Sequence, residues 1–188
     1  METIDRRTLL RALGATSLAP LMDRATTTMA AVVAIARPGE SRFQYASAQQ
    51  AKKSPCKLTS EDSGGAMSIF ELYVPPQSGP VRHVHHREDE WCYVAAGEFV
   101  FEVGTEKFTL PVGGSVLMPR AVPHVWANTA SGDGKLIVTC APGGFEKFFD
   151  ALGKLPDSEI NDKRIMAVMS EYGMDYVGPA LFGIWRQK

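Results

Sequence analysis

Residues 83–90 read HVHHREDE and residues 123–125 read PHV, and together these two stretches hold all four histidines of the 188-residue chain. The first stretch ends on an acid, Glu90. Side chains alternate between the two faces of an extended strand, so His83 and His85 project to the same side, roughly 6.6 Å apart along the strand. Two imidazoles at that spacing are able to bind one metal ion.

Glu90 follows His85 at an odd offset, which would place it on the opposite face of a continuous strand. We therefore predict a turn over residues 86–89. A second strand over residues 90–94, rich in aromatic and branched side chains, then brings the carboxylate back beside the rings. With His124, three imidazoles and one carboxylate would hold a divalent ion and leave coordination positions open, as a catalytic site requires.

The spacing of these residues resembles the two sequence motifs of the cupin family. The first motif is represented by Gly79, His83, His85, Glu90 and Gly97. Three residues separate its leading glycine from the first histidine, where the motif has five. The second motif is represented by Gly113, Pro119, His124 and Asn128, with Ala121 at its internal glycine. The resemblance implies an all-β fold, the double-stranded β-helix or jelly-roll barrel, and it implies these metal ligands: His83, His85, Glu90 and His124.

Two further stretches are similar to bacterial single-domain cupins of the quercetin 2,3-dioxygenase type, namely residues 84–94 and residues 142–149. This resemblance implies a metal-dependent dioxygenase that cleaves a flavonol-like or other enolisable phenolic substrate with O2. Glu90 would be the catalytic group that accepts the substrate proton. The ion is left open among Fe, Ni, Mn, Co, Cu and Zn, because imidazole-rich sites accept all of them.

The formal charge of the site suggests what it binds. One carboxylate against a divalent ion leaves a charge of about +1, which favours anionic ligands such as a phenolate or enolate. Two other functions fit the same residues. The ion could act as a Lewis acid in an isomerase, cyclase or lyase, for which turnover would not need O2. Alternatively, the chain could be a non-catalytic module that binds a small molecule.

The neighbours of the four ligands have less direct roles. His86 faces away from His85 on a strand, so we expect a surface position or a supporting hydrogen bond. Glu88 and Asp89 are expected to be solvated turn carboxylates, with Asp89 as the fallback acid. Three residues are candidates for the wall of a substrate pocket, with ordinary core positions as the alternative: Cys92, Met118 and Trp126.

Composition excludes several classes of function. The chain has 20 basic and 21 acidic residues and no block of like charge, so the basic stripe of a nucleic-acid-binding protein is missing. Its three cysteines are widely separated, which does not suggest a disulfide framework. We find no phosphate-binding glycine loop and no HExxH helix in the sequence.

Residues 1–36 resemble a twin-arginine export signal, because Arg6-Arg7 precede apolar stretches. The prediction is export to the periplasm or outside the cell. A disordered or helical extension of a cytoplasmic protein is the alternative. Arg11, Asp23 and Arg24 interrupt the apolar stretches, so no membrane span is expected.

Short strands separated by turns every eight to twelve residues predict a β-sandwich or barrel over residues 37–142. Residues 143–188 are predicted to form a C-terminal helical extension. Phe145, Phe148, Phe149 and Leu152 are spaced for one amphipathic helix, and Ile165, Met169 and Tyr172 repeat the pattern before Gly173. These helices would lie across the outside or the mouth of the barrel, or form a homodimer contact.

Overall fold

The structure is a computed structural model that describes residues 33–156 and 162–184. Its described part is dominated by strands, numbered in chain order: β1 (Cys56–Leu58), β2 (Ser68–Val74), β3 (Ser78–Gly79), β4 (Arg82–His85), β5 (Asp89–Ala96), β6 (Glu98–Val103), β7 (Glu106–Pro111), β8 (Ser115–Met118), β9 (His124–Asn128), β10 (Gly134–Ala141), β11 (Met174–Gly178) and β12 (Gly183–Ile184). Three helices accompany them: α1 (Ala48–Lys53), α2 (Glu146–Gly153) and α3 (Asp162–Glu171). The predicted class, an all-β jelly roll with C-terminal helices, is confirmed.

The strands form two sheets. The first has the order β1-β2-β10-β5-β8, and every pair in it is antiparallel. The second has the order β11-β4-β9-β3-β12, with β6 pairing to β9 and β7 pairing to β6. Neighbours in the chain often lie in different sheets: β4 belongs to the second sheet and β5 to the first. This crossing brings side chains from the two sheets together.

The hydrophobic core lies between the sheets and follows the two-residue period of the strands. In β2, Phe70, Leu72 and Val74 are buried while the residues between them are partly exposed. The strand ends before Pro75, whose missing N–H cannot continue the ladder. β6 departs from this two-residue period, because Val100 is buried along with its two phenylalanine neighbours.

The C-terminal segment closes one side of the barrel. The buried face of α2 carries Phe148 and Phe149, and the latter packs edge-on against Phe70 of β2 with ring centroids 5.1 Å apart. Glu146 fixes the start of this helix, because its carboxylate accepts hydrogen bonds from the Ser60 backbone N–H at 3.1 Å and the Ser68 hydroxyl at 2.5 Å. The segment is not purely helical: β11 pairs with β4, and β12 pairs with β3.

A short helix, α1, precedes the first strand. Ser47 caps it by accepting a hydrogen bond from the Gln50 backbone N–H. The three cysteines are free and buried. Of the predicted export signal or extension, residues 1–32 lie outside the described residues. No helix within the described ranges has the length and apolar character needed to cross a bilayer.

Candidate metal centre

His83, His85, Glu90 and His124 converge, with one ligand atom from each lying within 4.8 Å of the others. β4 supplies the first two histidines, and β9 supplies His124, which is paired in register with His83. Glu90 comes from β5 in the opposite sheet, after the chain has turned through residues 86–88. All four residues are buried. The fold therefore brings together the four residues singled out by their spacing.

Backbone carbonyls orient two of the three imidazoles. Nδ1 of His83 lies 2.8 Å from the Val81 carbonyl oxygen, and Nδ1 of His124 lies 3.0 Å from that of Val122. Because a carbonyl oxygen only accepts hydrogen bonds, Nδ1 carries a proton in both rings. Each Nε2 then presents a lone pair toward the centre of the cluster, which is the arrangement of a metal-binding histidine.

The contacts at the centre fit a cation. His83 Nε2 and His85 Nε2 are 3.2 Å apart, and Glu90 Oε2 lies 3.2 Å from His85 Nε2. Among the described residues, His124 Nε2 is buried and has no hydrogen-bond partner, although Glu90 Oε2 is 3.5 Å away. An unsatisfied buried lone pair is costly. Three ring nitrogens and one carboxylate oxygen are the donor set that divalent transition ions accept, so this cluster is able to hold one.

The pKa values of these groups reflect their burial and their contacts. Burial, together with the neighbouring rings, lowers the pKa of His83 to about 3, so this ring is neutral at physiological pH. Burial also lowers the pKa of His85, but its contacts with Glu88 and Glu90 outweigh burial and raise the value to about 9. Burial alone would raise the pKa of Glu90, but His124 and His85 hold it well below its ordinary value. Glu90 is therefore a carboxylate.

Glu88 is the residue at the centre that the sequence interpretation missed. Instead of being a solvated turn carboxylate it is buried, and its Oε2 lies 3.4 Å from Nδ1 of His85. The third imidazole is thus oriented by an acid rather than by a carbonyl. With a divalent ion, the carboxylates of Glu88 and Glu90 bring the formal charge of the site close to zero. The site therefore attracts anions less strongly than the sequence analysis, which counted one carboxylate, suggested.

The other two polar neighbours lie outside the cluster. His86 is exposed, and its Nε2 lies 2.8 Å from Asp175 Oδ2 of β11. Asp89, the fallback acid, instead pairs with Arg120 through Oδ2 at 2.8 Å. This ion pair lowers the pKa of Asp89 to about 2.

An apolar cavity adjoins the cluster, and His83, His85 and Glu90 form part of its wall. Most of the remaining wall is hydrophobic and includes Trp126, together with residues of the C-terminal segment: Phe145, Phe148, Phe149, Leu152, Ile165, Met169 and Met174. The ring of Phe145 lies 5.0 Å from that of His85, centroid to centroid. The sequence placed the C-terminal helices near the barrel without indicating that they form this wall.

The three residues proposed for the pocket occupy different places. Of the described residues, the cavity wall includes Trp126 but neither Cys92 nor Met118. Both of the latter are fully buried in the core. The Cys92 thiol lies 3.5 Å from Glu90 Oε1 and is directed at the carboxylate. Burial raises the pKa of this thiol well above its ordinary value, so it is a neutral neighbour of Glu90.

Comparison with known protein families finds a match to part of the chain. Residues 70–140 match the family described as Cupin domain, and this interval contains all four residues of the cluster. No curated protein matches the chain.

Several solved structures are similar to parts of the chain. A protein named TT1209 from Thermus thermophilus is 29% identical over 42% of this chain and 74% of its own, with a TM-score of 0.40. KdgF from Halomonas sp. is 19% identical over 50% of this chain and 81% of its own, with a TM-score of 0.45. An RmlC-like cupin from Shewanella frigidimarina is 24% identical over 44% of this chain and 72% of its own, with a TM-score of 0.40.

Proposed function

We propose that this chain, which carries a cupin domain over residues 70–140, is a metal-dependent dioxygenase that cleaves an enolisable or phenolic substrate. The observation that carries the proposal is the position of the ligand cluster in the wall of an apolar cavity lined by aromatic rings. The narrower resemblance to quercetin 2,3-dioxygenase supports the same reaction class, with flavonols as one group of candidate substrates.

The residues that would hold the ion are His83, His85, Glu90 and His124. A bound divalent transition ion would supply a positive charge that stabilises a deprotonated substrate oxygen, and a redox-active ion would help electrons pass from that substrate to O2. The donor set leaves the choice between Fe, Ni, Mn, Co, Cu and Zn open.

Glu90 is suited to take the substrate proton. Its carboxylate is ionised and buried, and it lies in the cavity wall beside the rings. In the proposed reaction a substrate hydroxyl gives its proton to Glu90, and the resulting anion is electron-rich enough to react with O2. Both oxygen atoms enter the products as a carbon–carbon bond of the ring breaks.

The apolar wall has two roles in this scheme. Rings such as Phe145 and Trp126 offer flat surfaces against which an aromatic substrate packs. They also keep water from the reacting oxygen, which strengthens the electrostatic effect of nearby charges.

The experiment is oxygen uptake by the metal-loaded protein. The metal content of the purified chain is measured first, and the protein is then loaded separately with iron, nickel, manganese and cobalt. Quercetin and a panel of one-ring phenols are offered, and 18O2 labelling establishes whether both atoms enter the product. No oxygen uptake with any metal and substrate would refute the proposal.

Matched variants test the importance of Glu90. Glu90→Gln should reduce turnover at least about 100-fold, since it removes both a proposed metal ligand and the proposed proton acceptor. His86→Gln is the control, because this exposed histidine pairs with Asp175 and should leave turnover unchanged. Turnover of an enolisable compound without oxygen uptake would instead indicate an isomerase, cyclase or lyase. Ligand retention without turnover would indicate a binding module.

We also propose that the chain is exported by the twin-arginine route, on the basis of Arg6-Arg7 and the apolar stretches that follow. A mature N-terminus near Arg37 in protein from its natural source would support export, and an intact Met1 would contradict it. The homodimer remains a prediction, and the molar mass in solution would test it.

A further inference from the structure

The polar groups of the cavity point to a second anchor for the substrate. Apart from the Trp126 indole, the polar side chains in the described part of the wall fall into two groups. One group consists of the metal-binding residues His83, His85 and Glu90. The other consists of Gln50, Lys53 and Ser54, which belong to α1 or follow it directly. The intervening wall is hydrophobic.

The two groups come from different elements of the cavity wall. Glu90 is on β5, Val138 on β10 and Leu72 on β2, and these three neighbouring strands of the first sheet all contribute to the wall. Adjacent strands are about 4.8 Å apart, so β2 lies about 10 Å from β5. The helix α1 contacts β2 and α2. The packing against α2 is close, because a Cβ added at Gly153 would be 3.0 Å from Gln50 Cβ.

The group on α1 is built into the fold. Gln50 is 1% exposed, and its amide nitrogen donates to the Ser54 hydroxyl at 3.1 Å. The backbone carbonyl of Ser54 accepts a hydrogen bond from the Tyr45 hydroxyl at 3.0 Å. Offsets of three and four residues put Gln50, Lys53 and Ser54 on one side of the helix. Lys53 adds a positive charge, and its ammonium is purely a donor.

The size of the cavity limits what lies between the two groups. Its volume is ≈ 130 Å³. An engineered protein cavity of about 150 Å³ binds benzene. The space next to the cluster therefore fits one ring with short substituents, rather than the three rings of a flavonol.

We infer that the substrate has one apolar ring, metal-binding oxygens at one end, and a carboxylate at the other end that contacts Lys53, with Gln50 and Ser54 beside it. This inference rests on the proposed function and narrows its substrate class. The ring oxygens would reach the cluster, and the ring would pack against Phe145. Lys53 would be the residue that selects for the acidic tail.

The test compares two ligands that differ only at the tail: 3-(3,4-dihydroxyphenyl)propionate and 4-propylcatechol. Both have the same ring and the same pair of metal-binding hydroxyls. Their dissociation constants are measured by calorimetry with the full-length, metal-loaded protein under argon, so that no turnover occurs. We expect the carboxylate ligand to bind at least about tenfold tighter, because a charge-assisted hydrogen bond is made to it alone. Equal or tighter binding of 4-propylcatechol would overturn the inference.

Two variants of adjacent lysines identify the anchor. Lys53→Met keeps most of the apolar stem, and it should reduce the preference for the carboxylate ligand to about twofold or less. Lys52→Met is the matched control: Lys52 is exposed and lies one residue away on the same helix, so this variant should keep the preference. An equal loss in both variants would show that the effect is general electrostatics, which contradicts a specific role for Lys53.

The binding of quercetin under argon tests whether the cavity is limited to ligands with one ring. Quercetin should bind at least about tenfold more weakly than the one-ring carboxylate ligand, since one ring fills the cavity. Tighter binding of quercetin would refute the size limit. These binding results are independent of oxygen uptake, so failure of the substrate inference is distinguishable from failure of the dioxygenase proposal.

Discussion

Glu88 Oε2 lies 3.4 Å from Nδ1 of His85, on the side of the ring opposite the ligand cluster. The equivalent nitrogens of His83 and His124 face main-chain carbonyls instead. A carboxylate in this position fixes the ring and increases the electron density on Nε2, which strengthens its bond to a metal.

We expect Glu88→Gln to weaken metal binding about 10- to 100-fold, because outer hydrogen-bond partners of metal-binding histidines have effects of that size. Competition with a coloured chelator measures the affinity. Asp89→Asn is the control. It removes the same charge one residue away, and the Asp89 side chain contacts Arg120 rather than a candidate metal ligand. Equal weakening by both variants would mean that long-range charge, and not the contact with His85, is responsible.

Binding of the ion should stabilise the fold. Addition of Co²⁺ or Zn²⁺ at about 100 times its dissociation constant is expected to raise the free energy of unfolding by about 2.7 kcal/mol. A rise in the melting temperature that a chelator reverses would show this effect. In the His124→Ala variant, the metal should no longer raise the free energy of unfolding. An unchanged rise would show that the ion binds elsewhere.

Gly79 is the leading glycine of the first motif, and the structure gives it a steric reason. A Cβ at this position would lie 1.9 Å from the Trp126 carbonyl oxygen. Gly79→Ala should therefore lower the free energy of unfolding by about 1–3 kcal/mol, the range for overpacked sites. Gly132→Ala is the control, because its added Cβ would have no neighbour within 4 Å. Urea denaturation compares the two, and equal stability would refute the steric explanation.

The ion pair between Arg42 and Asp62 should make stability depend on pH. The Arg42 guanidinium holds the pKa of Asp62 below its ordinary value, and the Thr59 backbone N–H also donates to this carboxylate at 3.1 Å. A lowered pKa in the folded state gives stability that is complete above the unfolded value, about 3.9, and is lost as the pH falls below it.

Asp62→Asn should therefore lower the free energy of unfolding by about 1 kcal/mol at pH 7, and this difference should shrink as the pH falls below the unfolded value of about 3.9. Denaturant titrations at several pH values measure it. The exposed neighbour Glu61→Gln is the control, with an expected change below about 0.5 kcal/mol at pH 7. If the loss of unfolding free energy caused by Asp62→Asn instead grew at low pH, the predicted direction of the pH dependence would be wrong.

The parts of the fold that follow short-range rules were predictable from sequence. Short strands separated by turns predicted a β-sandwich or barrel, and the strands of the two sheets agree with it. The spacing of Phe145, Phe148 and Phe149 predicted α2. Four ligand residues in two motifs predicted the cluster, because the order and spacing of histidines on strands restrict which faces they occupy.

The parts that were missed depend on contacts between distant segments. Nothing in the sequence around Glu88 distinguishes a buried acid from a solvated one, because its burial depends on the surrounding fold. Lys53 and Gln50 belong to a six-residue helix whose packing against α2 brings them to the cavity. Likewise, β11 follows a helix and pairs with β4, a strand from a much earlier part of the chain.

The contact between Phe145 and His85 couples α2 to the candidate metal centre. This phenylalanine directly precedes the helix, and its ring is 5.0 Å from the imidazole while also lining the cavity. A molecule that displaces the phenyl group must alter the packing around the imidazole of His85, a candidate metal ligand. In the cobalt-loaded protein, a change in the visible absorption bands of the ion would then show that a molecule occupies the cavity.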